Sequence, residues 1–128
     1  MAVLGDGDYL MGLSALWTAA NARIPVLVVV ANNNSYLNDE IHQERVAKER
    51  GRPVENRWIG QRIADPAPDL AALARGLGIE AVGPVERSEQ LAAALTEAVA
   101  AVREGAACVV DVRVTGSYAW TVSRALTR

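Results

Sequence analysis

The chain has no phenylalanine, one cysteine and one histidine among its 128 residues. A lone Cys108 excludes an internal disulfide and is compatible with a reducing compartment. It lies in the apolar run Ala106 to Val112, where a buried, inert thiol is favoured over a nucleophile. No apolar run approaches the roughly 20 residues that a membrane span needs, and no basic segment leads into an apolar one as in a signal peptide. A cytoplasmic protein is expected. Basic excess is missing too: 13 Lys and Arg against 15 Asp and Glu leave a formal charge of −2. That charge, with Trp17, Trp58 and Trp120 too scattered for a base-stacking platform, argues against nonspecific nucleic-acid binding.

What is present is a chain 51% apolar and rich in Ala, long enough for one domain, 1–128, with a real core. Its organising stretch runs from Gly5 to Asn34. The apolar Ala2-Val3-Leu4 breaks at Gly5-Asp6-Gly7; Tyr9 to Ala22 then carries Leu10, Met11, Leu13, Leu16, Trp17 and Ala20 at helical spacing. Pro25 ends that helix, and Val26 to Ala31 has no polar residue, as in a strand buried on both faces of a parallel sheet. A connection through a helix makes the two strands parallel, so both following turns lie at the carboxyl edge of one sheet. Strands are about 4.8 Å apart, so Asp6 and Asn33 can point at a common spot. A carboxylate, an amide oxygen and a loop carbonyl are three hard ligands suited to Mg²⁺, which completes its shell with water and substrate phosphates. A helix beginning near Asp8 would present its N–H groups and positive dipole end to such a phosphate. The plainer reading of Asn32-Asn33-Asn34 is a set of Asx turns.

Gly5-Asp6-Gly7, a helix, a buried strand and then Asn33, 27 positions after Asp6, resemble the thiamine diphosphate motif of the acetolactate synthase and pyruvate decarboxylase superfamily. The resemblance implies that Asp6, the Asn33 side chain and the Ser35 carbonyl hold Mg²⁺. It makes Gly7 and Asp8 backbone donors to the diphosphate, with Gly5 and Leu37 completing the cofactor contacts. Asp8 stands where the family often has Ser, Ala or Gly, and is expected to turn away and cap the helix. The likeness continues through Asp65-Pro66-Ala67-Pro68-Asp69 and Gly76-Leu77-Gly78-Ile79. It implies a thiamine diphosphate-binding fold without the preceding strand and helix, in an enzyme that decarboxylates or ligates 2-oxo acids. It further implies a separate pyrimidine-binding domain, in cis or in trans, and an assembly of at least two subunits. With Met1 only four residues before Gly5, the chain reads as part of a longer enzyme or as one completed by a partner chain.

Beyond the motif, Asp39 matches an acid near the substrate in some members, though Asn38 to Arg50 also reads as a helix with acidic start and basic end. His42 on that helix reads as solvated or partner-facing rather than as a catalytic base. Gly51 to Ile63 is basic, with Trp58 embedded; it reads either as an ordinary surface loop or as a docking segment. Asp69 is expected to cap a helix Leu70 to Leu77, Ile79 to Val82 to form a strand, Gly83-Pro84 a turn, Ser88 to cap a helix Glu89 to Arg103, and Val109 to Val114 to form the last strand. The pattern spells an α/β fold, a doubly wound parallel sheet with helices on both faces. Tyr118, Trp120 and Leu126 mark a tail expected to pack on another domain.

Two alternatives stand beside the cofactor reading. A Mg²⁺-dependent phosphohydrolase would use GDG plus an acid, but needs an upstream Asp nucleophile and leaves the Asn pair unexplained. A noncatalytic fragment would keep the fold and depend on a partner domain for turnover.

Overall fold

The computed structural model describes residues 1–117. Four strands among them form one parallel sheet in the order β1-β2-β4-β3: β1 is Ala2–Gly5, β2 Leu27–Asn32, β3 Glu80–Val85 and β4 Cys108–Arg113. The helices are α1 (Asp6–Met11), α2 (Leu13–Asn21), α3 (Leu37–Glu49), α4 (Leu70–Gly76) and α5 (Ser88–Arg103). Register aligns the ends of the three strands that matter for the site, with Gly5 opposite Ala31 and Asn32 opposite Arg113.

Side chains alternate across each strand, so the sheet has two cores. On one face Val28, Val30 and Val109 pack with Tyr9, Leu16, Ala19, Leu70 and Ala74 from α1, α2 and α4. On the other, Leu27, Cys108 and Val110 pack with Ala94 and Ala98 of α5. Alanines at the contact let the helices approach closely, and each buried Val or Leu stabilises by roughly 1.5–3 kcal/mol relative to exposure. Helices on both faces of a parallel sheet are the doubly wound α/β arrangement expected from the pattern.

Several local expectations are corrected. The helix expected from Tyr9 to Ala22 is two helices that break at Gly12, whose N–H is shared between the Asp8 and Tyr9 carbonyls at 3.0 and 3.2 Å. Met11 is 70% and Trp17 56% exposed instead of in the core. Asp8 caps nothing. The helix starts at Asp6 with Gly5 as its N-cap, and Asp8 sits exposed in the first turn. Gly83-Pro84 is not a turn but part of β3, at the register shift between Val82 and Val85; an edge strand tolerates a residue without an N–H. Gly83, at φ +131°, is required there, since an added Cβ would lie 2.6 Å from the Asp111 carbonyl oxygen.

Ser88 is the first residue of α5 rather than its cap. The longer Gln90 side chain reaches back, its Oε1 accepting from the Glu86 and Arg87 N–H groups at 3.3 and 3.2 Å. Asp69 does cap α4, accepting from the Ala72 N–H at 2.8 Å. Tyr118, Trp120 and Leu126 lie outside the described residues. Among the described residues no helix is long and apolar enough to cross a membrane.

Candidate functional site at the carboxyl edge

β1 and β2 end side by side, and the chain leaves them in opposite ways. After β1 it winds directly into α1; after β2 it turns through Asn33, Asn34 and Ser35 before entering α3. Asn34 takes a left-handed conformation, φ +57°, which Asn tolerates better than most residues. Asx turns hold this bend: Asn32 Oδ1 accepts from the Asn34 N–H at 3.2 Å and Asn33 Oδ1 from the Ser35 N–H at 2.9 Å. The buried Asn32 is anchored in turn, its Nδ2 donating to Asp111 Oδ1 at 2.9 Å, while an Arg113 guanidinium nitrogen donates to Asn34 Oδ1.

The turn delivers Asn33 to Asp6. The Ser35 N–H that bonds Asn33 Oδ1 also donates to Asp6 Oδ2 at 3.2 Å, so both oxygens converge on one donor. Asp6 is only 2% exposed. Burial pushes its carboxyl above the ordinary 3.8, opposed by the backbone N–H groups of Asp6, Gly7, Asn34 and Ser35, which favour the charged form. A buried carboxylate that retains lone pairs beside an amide oxygen is the donor set a hard cation takes, and a cation there would offset the burial. Among the described residues no group of three His, Cys, Asp or Glu side chains could hold a metal. Beside Asp6 the described residues offer the Asn33 amide oxygen rather than a second carboxylate or a histidine.

Every residue expected to hold the metal or the cofactor, together with Asp39, lines one cleft of about 480 Å³: Gly5, Asp6, Gly7, Asp8, Asn33, Ser35, Leu37 and Asp39. Tyr36, Asn38, Thr115 and Ser117 complete its wall. Gly5 supplies no side-chain cap to α1; the Asp6 carboxylate itself draws on the Asp6 and Gly7 N–H groups of the first turn. Gly7 is required by packing: a Cβ there would fall 2.3 Å from the Tyr36 ring. His42 is elsewhere, in a groove with Gln43, Val46, Ala47, Arg50 and Arg52.

Sequence reasoning missed the residues that hold the cleft rather than line it. Tyr9, buried in the core with Leu70, donates to the Leu70 carbonyl at 2.9 Å; burial, then the nearby Asp111 charge, raises its phenol to about 12. Glu40, in the first turn of α3, is 7% exposed and accepts from Ser35 Oγ at 2.9 Å. An acid at a helix start looks solvated in sequence, and only the fold reveals that it points inward.

The family model for the thiamine pyrophosphate enzyme C-terminal TPP binding domain matches residues 1–112. A benzoylformate decarboxylase of Pseudomonas aeruginosa is 33% identical over 109 residues, an alignment covering 79% of this chain and 17% of that protein. The solved structure of a thiamine diphosphate-dependent 4-hydroxybenzoylformate decarboxylase of Rhodococcus jostii RHA1 superposes with a TM-score of 0.66 at 25% identity, covering 91% of this chain and 19% of that one. The chain thus spans less than a fifth of the length of either relative. With a parallel sheet whose carboxyl edge joins Asp6 to Asn33, and a family match over almost all of the described residues, the chain belongs to the thiamine pyrophosphate enzymes as their C-terminal TPP-binding domain.

Proposed function

We propose that this chain is the diphosphate-holding domain of a thiamine diphosphate- and Mg²⁺-dependent enzyme that decarboxylates a 2-oxo acid. The observation that carries the reading is the convergence of Asp6 Oδ2 and Asn33 Oδ1 on the Ser35 N–H, in a cleft that contains every expected cofactor contact. The cleft carries three carboxylates, Asp6, Asp8 and Asp39, and would repel a bare diphosphate. Asp6, Asn33 and the Ser35 carbonyl would hold a divalent cation, which would supply the positive charge that offsets that repulsion. When bound, thiamine diphosphate supplies the nucleophilic carbon and the electron sink for decarboxylation. The residues of this domain anchor it: Gly5, Gly7, Asp8 and Leu37 bound the cofactor side of the cleft, and the Gly7–Tyr36 contact shapes its floor.

The names of the two relatives, both decarboxylases of benzoylformate-type 2-oxo acids, support decarboxylation over the ligation chemistry of acetolactate synthase. Asp39, exposed at the cleft wall, is the acid nearest to a substrate role. The remainder of the site, a pyrimidine-binding domain, comes from the same longer chain or from a partner, in a cytoplasmic assembly of at least two subunits.

A calorimetric titration of thiamine diphosphate, with and without Mg²⁺, tests the reading on this chain and on an Asp6→Asn variant. Metal-dependent binding that disappears in the variant is expected. Equal binding in both proteins, or binding indifferent to metal, overturns it.

A further inference from the structure

The basic segment Gly51 to Ile63 is not an independent surface loop; it is stitched to the turn that carries Ser35. The Tyr36 N–H donates to the Gln61 carbonyl and the Ile63 N–H to the Asn34 carbonyl, both at 2.8 Å, making Ser35 and Arg62 an antiparallel bridge. Side chains close the same junction around Glu40. One carboxylate oxygen, Oε2, accepts from Ser35 Oγ at 2.9 Å, while the other, Oε1, faces Arg57 Nε at 3.6 Å and an Arg62 guanidinium nitrogen at 3.8 Å. Arg57 is shared with Glu44 at 3.1 Å, and Arg62 lies over the Trp58 ring, 5.7 Å from its centroid.

Ser35 is therefore gripped at two side-chain-independent and side-chain-dependent points at once. Its N–H goes to Asp6 and Asn33, and its hydroxyl is drawn away to Glu40. With both donors committed, the orientation of the Ser35 peptide is fixed. A carboxylate as buried as Glu40 needs charged partners, and the two arginines supply them from the 51–63 segment.

We infer that residues 57–63 form a strut that sets the metal affinity of the cleft, with Glu40 as its positioning residue acting through the Ser35 hydroxyl. Glu40 touches neither cofactor nor cation; it orients a residue that does, and partners of that kind typically change metal affinity by about 10- to 100-fold when removed. The inference rests on the Mg²⁺-diphosphate reading of the cleft.

The test is the Mg²⁺ concentration for half-maximal binding of thiamine diphosphate at saturating cofactor, followed by calorimetry, with the thermal midpoint of each metal-free protein recorded beside it. In Glu40→Gln the charge that pairs with Arg57 and Arg62 is lost, and an amide N–H turned toward Ser35 would reverse the bond, donating to Oγ instead of accepting from it. That variant, Ser35→Ala and the double variant Arg57→Ala/Arg62→Ala should each raise the half-saturating Mg²⁺ about tenfold or more, whereas Ser35→Thr, which keeps the hydroxyl, should restore it. A general loss of fold would lower the thermal midpoint without this hydroxyl-dependent split. If the parent chain binds with Mg²⁺ and loses binding in Asp6→Asn, but Ser35→Ala and Glu40→Gln keep the parent's metal dependence, the strut is overturned and the cofactor reading stands. If the parent shows no metal-dependent binding, the cofactor reading fails and the strut fails with it.

Discussion

The Asp6 carboxylate and the Asn33 side-chain amide, on different strand ends of one sheet, accept hydrogen bonds from the same Ser35 N–H at 3.2 and 2.9 Å. Two acceptors on one donor place the Asp6 and Asn33 oxygens side by side at the cleft. Backbone N–H groups of Asp6, Gly7, Asn34 and Ser35 also favour the charged form of Asp6.

The folded chain without metal should therefore be more stable with a neutral residue at position 6. Burial raises the Asp6 carboxyl above 3.8, so its favourable contribution is present below that pH and is lost as pH rises through the raised value. Thermal melts of the parent and of Asp6→Asn should diverge over that window, the variant melting higher near pH 7. Adding Mg²⁺ and thiamine diphosphate at neutral pH should raise only the parent's midpoint, by the mass action of binding to the native state. A parent that melts above the variant without metal contradicts the assignment.

Gly7→Ala should damage both stability and the cleft. The new methyl group meets the Tyr36 ring at 2.3 Å and forces it toward the cleft wall. Overpacking of this kind costs about 1–3 kcal/mol. In urea unfolding the loss should be largely recovered by adding Tyr36→Ala, because the clash then has no ring to displace; unchanged stability in the single variant would contradict the packing.

Tyr9→Phe removes the bond from the phenol to the Leu70 carbonyl, a cost of about 1 kcal/mol near neutrality. The phenol is raised from 10.0 to about 12. A raised group stabilises fully below its unfolded value, and that contribution fades as pH climbs from 10 toward about 12. Denaturant midpoints of the two proteins should converge across that alkaline range; a gap constant from pH 8 to 12 would show that the phenol is not buried.

Cys108 should be inert while the chain is folded. It is 1% exposed on β4, and burial raises its thiol above 9.0, reinforced by Glu80 and Glu97. An aromatic disulfide reagent at pH 8 should label it only at the rate of unfolding, and at once in denaturant. Fast labelling of the native chain would place the thiol outside the core.

The site was legible before the fold was known because its signals are local: GDG ends one strand, the Asn run ends the next, and parallel pairing brings the two ends together. The buried strand β2 was equally plain, since Val28, Val29 and Val30 admit no amphipathic reading. Boundaries were less so. Gly12 breaks the first helix without a proline to announce it, and Gly5 caps α1 without a side-chain acceptor to mark its start. Pro84 resembles a turn signal, yet the edge position of β3 absorbs it. Hardest to see was Glu40, because its burial depends on Arg57 and Arg62, which follow it after all of α3 and are brought back only by the Ser35–Arg62 bridge.

The alignment of Gly5 with Ala31 and of Asn32 with Arg113 makes the ends of β1, β2 and β4 a common datum line. A residue inserted or deleted within any of these strands would move its end by about 3.3 Å and turn the following side chains to the opposite face. Insertions in the crossover helices and their loops leave that line where it is, so the site tolerates changes of length there and not within the three strands.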